Sequence, residues 1–259
     1  MKKGLFLVAT TLLLATGASA QLTLGFKAGL ALPSHSADLG TTTDGVSTTT
    51  NYGTLGKGIP VSLEAAYFFN DNIGIQLDAT YLIGLNVTHN ENTFAGNEAK
   101  TYSKTMQFRL SPQLVIKTDM GLYTRAGLVL PLLGKTTRYS EDVNGFGPSN
   151  KLVTEVEAKG KFSLGFIGAV GYQFGLSDKL SIFGEIEYVG LSIKRKSTEV
   201  TVFEVNDVDQ LANYTLLTGN NTLVEYEDET SPGDNKSQGT KSPYHSLGFN
   251  IGVRFTIGG

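Results

Sequence analysis

Along most of the chain, apolar and polar residues alternate with a period of two, the pattern of a strand whose successive side chains face opposite sides of a sheet. Leu22, Leu24, Phe26, Ala28, Leu30 and Leu32 share one face, and Thr23, Gly25, Lys27, Gly29 and Ala31 share the other. A second segment sets Ile59, Val61, Leu63, Ala65, Tyr67 and Phe69 against Ser62, Glu64 and Ala66. After only Asn70-Asp71-Asn72 a third runs from Ile73 to Leu85, with Gly74, Gln76, Asp78, Thr80 and Gly84 on its polar face. A connection that short between two alternating runs predicts a hairpin. Five more segments follow, over 106–116, 122–132, 162–174, 180–188 and 247–255, with turns at Thr118-Asp119 and Ser177-Asp178.

Short turns follow the second, fourth and sixth segments, and long polar connections follow the others, at 33–57, 88–104, 135–157 and 194–244. Each apolar segment has about the ten residues that a tilted strand needs to cross a hydrocarbon layer. The expectation is therefore all-β: an eight-stranded antiparallel transmembrane up-and-down barrel with short periplasmic turns and long extracellular loops. A soluble barrel also alternates, but its apolar face points inward. Three features favour the membrane: charges of both signs on the polar faces, the alternation of short and long connections, and aromatics gathered near the turn ends at Tyr67, Phe69, Tyr172, Phe174 and Phe255. Pro112 and Pro131 fall inside segments, where each would cost a ladder donor, which predicts bulges. Leu152, Thr154 and Val156, and likewise Val200 and Val202, keep the phase of neighbouring strands and suggest a sheet projecting outward. Val200–Val205 and Leu223–Tyr226 leave a ten-stranded count open, although each run is shorter than the roughly nine residues of a crossing.

The first twenty residues change the picture by fixing the route of export. Lys2 and Lys3, the apolar run from Leu5 to Ala15 and the small residues Ala18-Ser19-Ala20 form a signal peptide, 1–20, which leaves 21–259 as one barrel domain. Cleavage after Ala20 lowers Lys plus Arg from 21 to 19 against 24 acids. That mildly acidic balance gives nucleic acid no electrostatic foothold. The absence of cysteine excludes disulfides, thiolate metal sites and a cysteine nucleophile.

At the second hairpin, Leu63-Glu64-Ala65-Ala66-Tyr67-Phe68-Phe69-Asn70-Asp71-Asn72-Ile73-Gly74 resembles the strand-turn-strand signature of the small outer-membrane β-barrel (porin-like) domain family. Leu247-Gly248-Phe249-Asn250-Ile251-Gly252-Val253-Arg254-Phe255 is similar to that family's closing strand. The resemblance covers most of the mature chain and implies a barrel of the OmpA and OmpX type, inserted by the outer-membrane assembly machinery. Pro112 and Pro131 resemble versions found in Bacteroidota. Many members end at an aromatic, whereas this chain continues through Thr256-Ile257-Gly258-Gly259.

The candidate chemistry is a charge network on the polar faces: Lys27, Glu64, Asp78, Arg109, Arg125, Lys161, Glu185, Glu187 and Arg254. An eight-stranded barrel is only wide enough for side chains to fill it, so these nine are expected to pair and plug the lumen. A small-solute channel is the alternative, and a lipid-modifying enzyme a more distant one. No catalytic residue is assigned, because no nucleophile motif surrounds His35, His89 or His245. Glu225, Glu227, Asp228 and Glu229, with Asp207 and Asp209 upstream, lack the glycine-centred pattern of a calcium loop, and neither metal nor cofactor is expected. The expected partners are outer-membrane lipid and lipopolysaccharide, and other outer-membrane proteins or surface ligands met through the long loops. The expected role is structural, surface-binding or accessory.

Overall fold

A computed structural model describes residues 21–34, 37–94, 97–144, 150–227 and 236–257. The signal segment, His35, Asp228, Glu229 and the last two glycines lie outside the described residues. No helix among those described is long and apolar enough to cross a membrane, which says nothing of strands. The strands are β1 (Gln21–Pro33), β2 (Ala37–Asp44), β3 (Ser47–Gly53), β4 (Gly58–Phe68), β5 (Ile73–Gly84), β6 (Val87–Phe94), β7 (Asn97–Lys117), β8 (Leu122–Val143), β9 (Lys151–Gly160), β10 (Gly165–Gly175), β11 (Leu180–Gly190), β12 (Ser192–Val205), β13 (Val208–Asp209), β14 (Leu223–Glu227), β15 (Lys236–Gln238), β16 (Lys241–Pro243) and β17 (Ser246–Ile257).

Eight of them form a ring. β1 pairs with β4, β4 with β5, β5 with β7, β7 with β8, β8 with β10, β10 with β11, β11 with β17, and β17 returns to β1, every pair antiparallel. Closure leaves this layer no free edge. Register follows from the alternation: Gly25 lies opposite both Glu64 and Arg254, and Phe26 opposite both Leu63 and Val253. A slip of one residue would exchange those two sets of side chains between faces.

The faces have the polarity opposite to that of a soluble barrel. Leu24, Phe26, Leu63, Ile75, Phe166, Ile186 and Phe249 are exposed on the outside, while Lys27, Glu64, Asp78, Arg125 and Glu185 are buried within. Burial of charge beneath an apolar exterior suits a surround of hydrocarbon rather than water.

The two prolines behave differently. The β7–β8 ladder shifts register between Phe108 and Arg109, and the extra residue is Leu132, beside Pro131, as a bulge requires. At Pro112 the ladder merely lapses: Leu110 pairs with Leu130 and Gln113 with Gly127 in one unbroken register. Pro112 remains opposite Leu77 on its other side, so one neighbour is kept where the other is lost.

Side chains hold the short turns. Asn70 Oδ1 accepts from the backbone N–H groups of Asn72 and Ile73 at 2.9 and 2.7 Å. Ser177 Oγ does the same for Leu180 at 3.1 Å. In the β7–β8 turn, Gly121 at φ +91° takes a conformation that a side chain would oppose.

At the opposite end the long connections are built structure. β7 and β8 stay paired from the ring out to Glu98 and Val143. β9 lies against β8, and β12 against β9, with Val200 opposite Val156 and Val205 opposite Leu152. The expected outward sheet is thus present, and the 200–205 run adds to this head rather than to the ring. β6 flanks β7, and the β2–β3 hairpin joins β6 through a short parallel pairing. A 3-10 turn, Leu211–Asn213, and one helical turn, Tyr214–Thr218, interrupt the last connection.

Candidate functional site

Inward positions of seven ring strands bring eight of the nine expected charges together, and all eight are buried. Arg125 on β8 holds Glu185 with Nε at 3.0 Å and Nη2 at 2.6 Å. It also reaches Glu187 at 2.5 Å and Asp78 at 3.1 Å, and donates to Gln113. Lys27 Nζ, reaching from β1, lies 2.9 Å from Glu185, 3.0 Å from both Asp78 and Glu187, and 3.3 Å from Glu64. Arg254 Nε meets Glu64 at 3.0 Å and its guanidinium stacks 3.9 Å from the Phe183 ring centre. Tyr123, Asn250 and Gln76 donate to the carboxylates of Glu185, Glu185 and Asp78. Gly25 gives this cluster its room: a Cβ there would come within 2.8 Å of Glu64 Oε2 and 3.2 Å of Arg254 Cγ.

Arg109 is the weakly held member. Its closest carboxylate contact is Glu187 at 3.9 Å, and its Nε has no partner. Gln107 and Ser111, its inward neighbours along β7, also carry orphaned oxygens.

Lys161 does not join the cluster. It lies between β9 and β10, where its backbone N–H bonds to the carbonyl of Lys194, and its side chain lines a cavity in the head. The period-two phase that put it inside continues through 161–164, but the strand begins at Gly165 and meets the level of Arg125 only at Ala169, which leaves Lys161 far from the cluster. Among the described residues, the interior therefore holds four cations and four carboxylates rather than five and four.

Apolar residues lie on both sides of the charges. On the turn side are Ala66, Phe68 and Val115, and toward the head are Val129, Ile167, Val189, Leu191, Ile193, Leu55 and Tyr244. Alternation marked some of these positions as inward but could not show that they gather into two apolar clusters.

Above that layer the head opens into two adjoining cavities of about 370 and 400 Å³, which share Thr136, Lys159, Ile193 and Tyr244 as walls. Cations from β8, β9, β12 and β16 meet here: Arg138, Lys159, Arg195 and Lys241 line the larger one together with His89 and a single carboxylate residue, Asp38. Sequence reading missed this grouping because the residues come from separate connections, and only the ladder of the head joins them. Dense surroundings lower the pKa of Arg138, and the neighbouring Arg195 charge lowers it further. Burial, then the Arg138 charge, lowers that of His89.

The remaining candidates serve local structure. His245 Nδ1 accepts the Leu191 N–H at 3.2 Å, with Ser192 Oγ at 3.5 Å from Nε2. Asp207 pairs with Lys151, Asp209 accepts the Leu211 N–H, and Glu225 lies apart on β14 opposite Ser197.

The sequence matches a family model described as outer membrane protein beta-barrel domain over residues 6–210. No curated protein matches it. Among solved structures, the outer membrane protein OprG from Pseudomonas aeruginosa is similar at 15% identity and TM-score 0.45, over 93% of this chain and 97% of that one. Neisserial surface protein A is similar at 10% identity and TM-score 0.34, over 92% and 97%. So is Ail, the attachment invasion locus protein of Yersinia pestis, solved in complex with the heparin analogue sucrose octasulfate, at 8% identity and TM-score 0.34, again over 92% and 97%.

Proposed function

The chain belongs to the outer membrane protein β-barrel domain family, and from that membership we propose that it is a non-enzymatic barrel of eight membrane crossings. In this reading its own side chains close the lumen, and its head binds or braces partners at the cell surface. Sec-type export ends in cleavage near Ala20, the three short turns face the periplasm, and the head faces outward. Lipid and lipopolysaccharide surround the ring, and other surface molecules meet the head.

The carrying observation is the neutral layer of four cations and four carboxylates, with Arg125 and Lys27 each bridging several acids across the lumen. Ions transferred from water to a protein interior cost several kcal/mol each unless partners replace their hydration. A layer matched in charge in this way favours a closed wall, with Arg109 its least tightly held member. Apolar side chains on both sides of it narrow the route further.

A second reading, a narrow water-filled path, is favoured by one observation. Gln107, Arg109 and Ser111 form a run of orphaned polar atoms down the inner face of β7. Conductance of the purified mature protein in a planar bilayer separates the two. The plugged reading expects no steady current, and a steady current that changes on Arg125→Ala would overturn it.

A further inference from the structure

We propose that the larger cavity of the head is a binding site for a compact polyanion carrying phosphate-type oxyanion groups. The proposal deepens the reading of the head as the surface-binding part and depends on it only for the side from which the ligand arrives.

The first support is an imbalance of charge in a recess of the head that stays open to solvent on one side. Arg138, Lys159, Arg195 and Lys241 line about 400 Å³ in company with one acidic residue, Asp38. That carboxylate is engaged in its own turn, where Oδ1 accepts the Gly40 N–H at 3.0 Å. Among the described residues, no carboxylate lies within ion-pair distance of Arg138, Lys159, Arg195 or Lys241. Elsewhere in the same head, cations do find acids: Lys135 meets Glu157, and Lys151 meets Glu141 and Asp207. A shortage of acids on the chain is therefore not the reason that this chamber lacks them.

The second support is a buried, unfinished histidine. His89 is only 5% exposed. Its Nδ1 lies 3.2 Å from the Leu39 carbonyl oxygen and 3.3 Å from Arg138 Nη2, while Nε2 has no partner. A guanidinium can only donate, so the tautomer that satisfies Arg138 accepts at Nδ1 and carries its proton on Nε2. The imidazolium also carries a proton there. These two forms present a buried Nε2 donor to a missing acceptor, whereas the other neutral tautomer donates Nδ1–H to Leu39 and leaves Nε2 an acceptor; in each, Nε2 lacks a partner beside a cation that repels other cations. Buried polar groups are rarely left without a partner, and an oxyanion would complete this one.

The donor set also fits the ligand class. The two arginines offer planar forks that match pairs of phosphate oxygens, and the lysines add point charges. Arg195 rests 5.4 Å from the Tyr226 ring centre, and the Tyr226 hydroxyl is 3.2 Å from Thr198 Oγ1. These contacts hold the guanidinium in place before any ligand arrives. The volume admits a small molecule or a headgroup. The same chemistry is presented by soluble polyphosphates and by the phosphorylated core of lipopolysaccharide.

The test is calorimetric titration of the refolded mature chain in detergent with sodium tripolyphosphate. Saturable binding that weakens with added salt is expected. Arg138→Gln and Arg195→Gln should each lower the affinity at least tenfold, and Lys151→Gln should leave it unchanged. Heat-modifiable electrophoretic mobility confirms that each variant has folded. Repeating the titration in nanodiscs with phosphorylated or dephosphorylated lipopolysaccharide identifies the source. Competition by the phosphorylated form alone assigns the site to the membrane lipid, and competition by neither assigns it to a soluble molecule. Absence of saturable binding at millimolar tripolyphosphate, or equal affinity in wild type and both arginine variants, would overturn the proposal. Failure of the plugged-barrel reading would show instead as bilayer current, which this titration does not measure.

Discussion

Lys27 and Arg138 both line an internal space of the same tube, and their surroundings differ in kind. Lys27, at 2% exposure, has four carboxylates within 3.3 Å. Arg138, in the open chamber above, has a histidine and a second arginine for neighbours. The difference follows from solvent access. In the buried layer of the ring, an unpaired ion would carry its whole desolvation cost, and the ionic groups there occur in matched number. In the head, water and salt meet much of that cost, and a surplus of one sign can persist until a ligand offsets it.

The largest expected effect lies in the closed layer. Arg125→Ala removes the shared partner of Asp78, Glu185 and Glu187 and leaves them to Lys27 and the distant Arg109. Breaking a buried ionic group of this kind costs about 3–5 kcal/mol. Urea unfolding of the variant in lipid vesicles, followed by heat-modifiable mobility, should show that loss. A change below about 1 kcal/mol would mean that water already solvates the layer, and the contrast between the two spaces would collapse.

Much of the ring was legible before any coordinates, because alternation of period two specifies both strand and face. The pairings of β1, β4, β5 and β17 fall where that phase puts them. The alternation runs on through 161–164, with Phe162 and Leu164 exposed, but β10 begins only at Gly165 and reaches the level of Arg125 at Ala169, so phase alone could not show that Lys161 stands clear of the cluster. The head was only partly legible. In β2 and β3, threonine-rich runs such as Thr41-Thr42-Thr43 and Thr48-Thr49-Thr50 face solvent on both sides, so polarity carries no period to read. The basic chamber was invisible for a different reason: its residues come from four strands that touch only after the head has folded.

A smaller effect is expected in the open chamber. Arg138→Gln removes a charge that has no acid partner among the described residues, so folding stability should stay within about 0.5 kcal/mol of wild type, as for ordinary surface substitutions. Parallel urea curves for this variant and Arg125→Ala make the comparison directly. A loss as large as that of Arg125→Ala would show that Arg138 is a structural ion.

The smallest effect is a dependence on pH, and it sharpens the comparison most because it reports on the chamber without removing a cation. The unfolded chain takes up a proton on His89 near the ordinary value of 6.5, whereas burial and then Arg138 hold the folded group below that value. Above 6.5 both states are neutral at this site, and it contributes its full stability. As pH falls through 6.5 toward the folded pKa, the unfolded state gains protons that the folded state refuses, and stability declines. The groups that share the chamber with His89 are Arg138, Arg195, Lys159, Lys241 and Asp38. Of the side-chain types gathered here, histidine is the one that ordinarily changes charge in this range, so His89 dominates the change. Hydrogen exchange of the β6 amides between about pH 8 and pH 5, corrected for intrinsic rates, should reveal local loosening on acidification. His89→Gln should abolish that slope. Tripolyphosphate should flatten it in the wild type, because a bound oxyanion favours the imidazolium that Arg138 otherwise opposes. A slope that survives His89→Gln would assign the titration elsewhere, and one indifferent to tripolyphosphate would separate the histidine from the anion site.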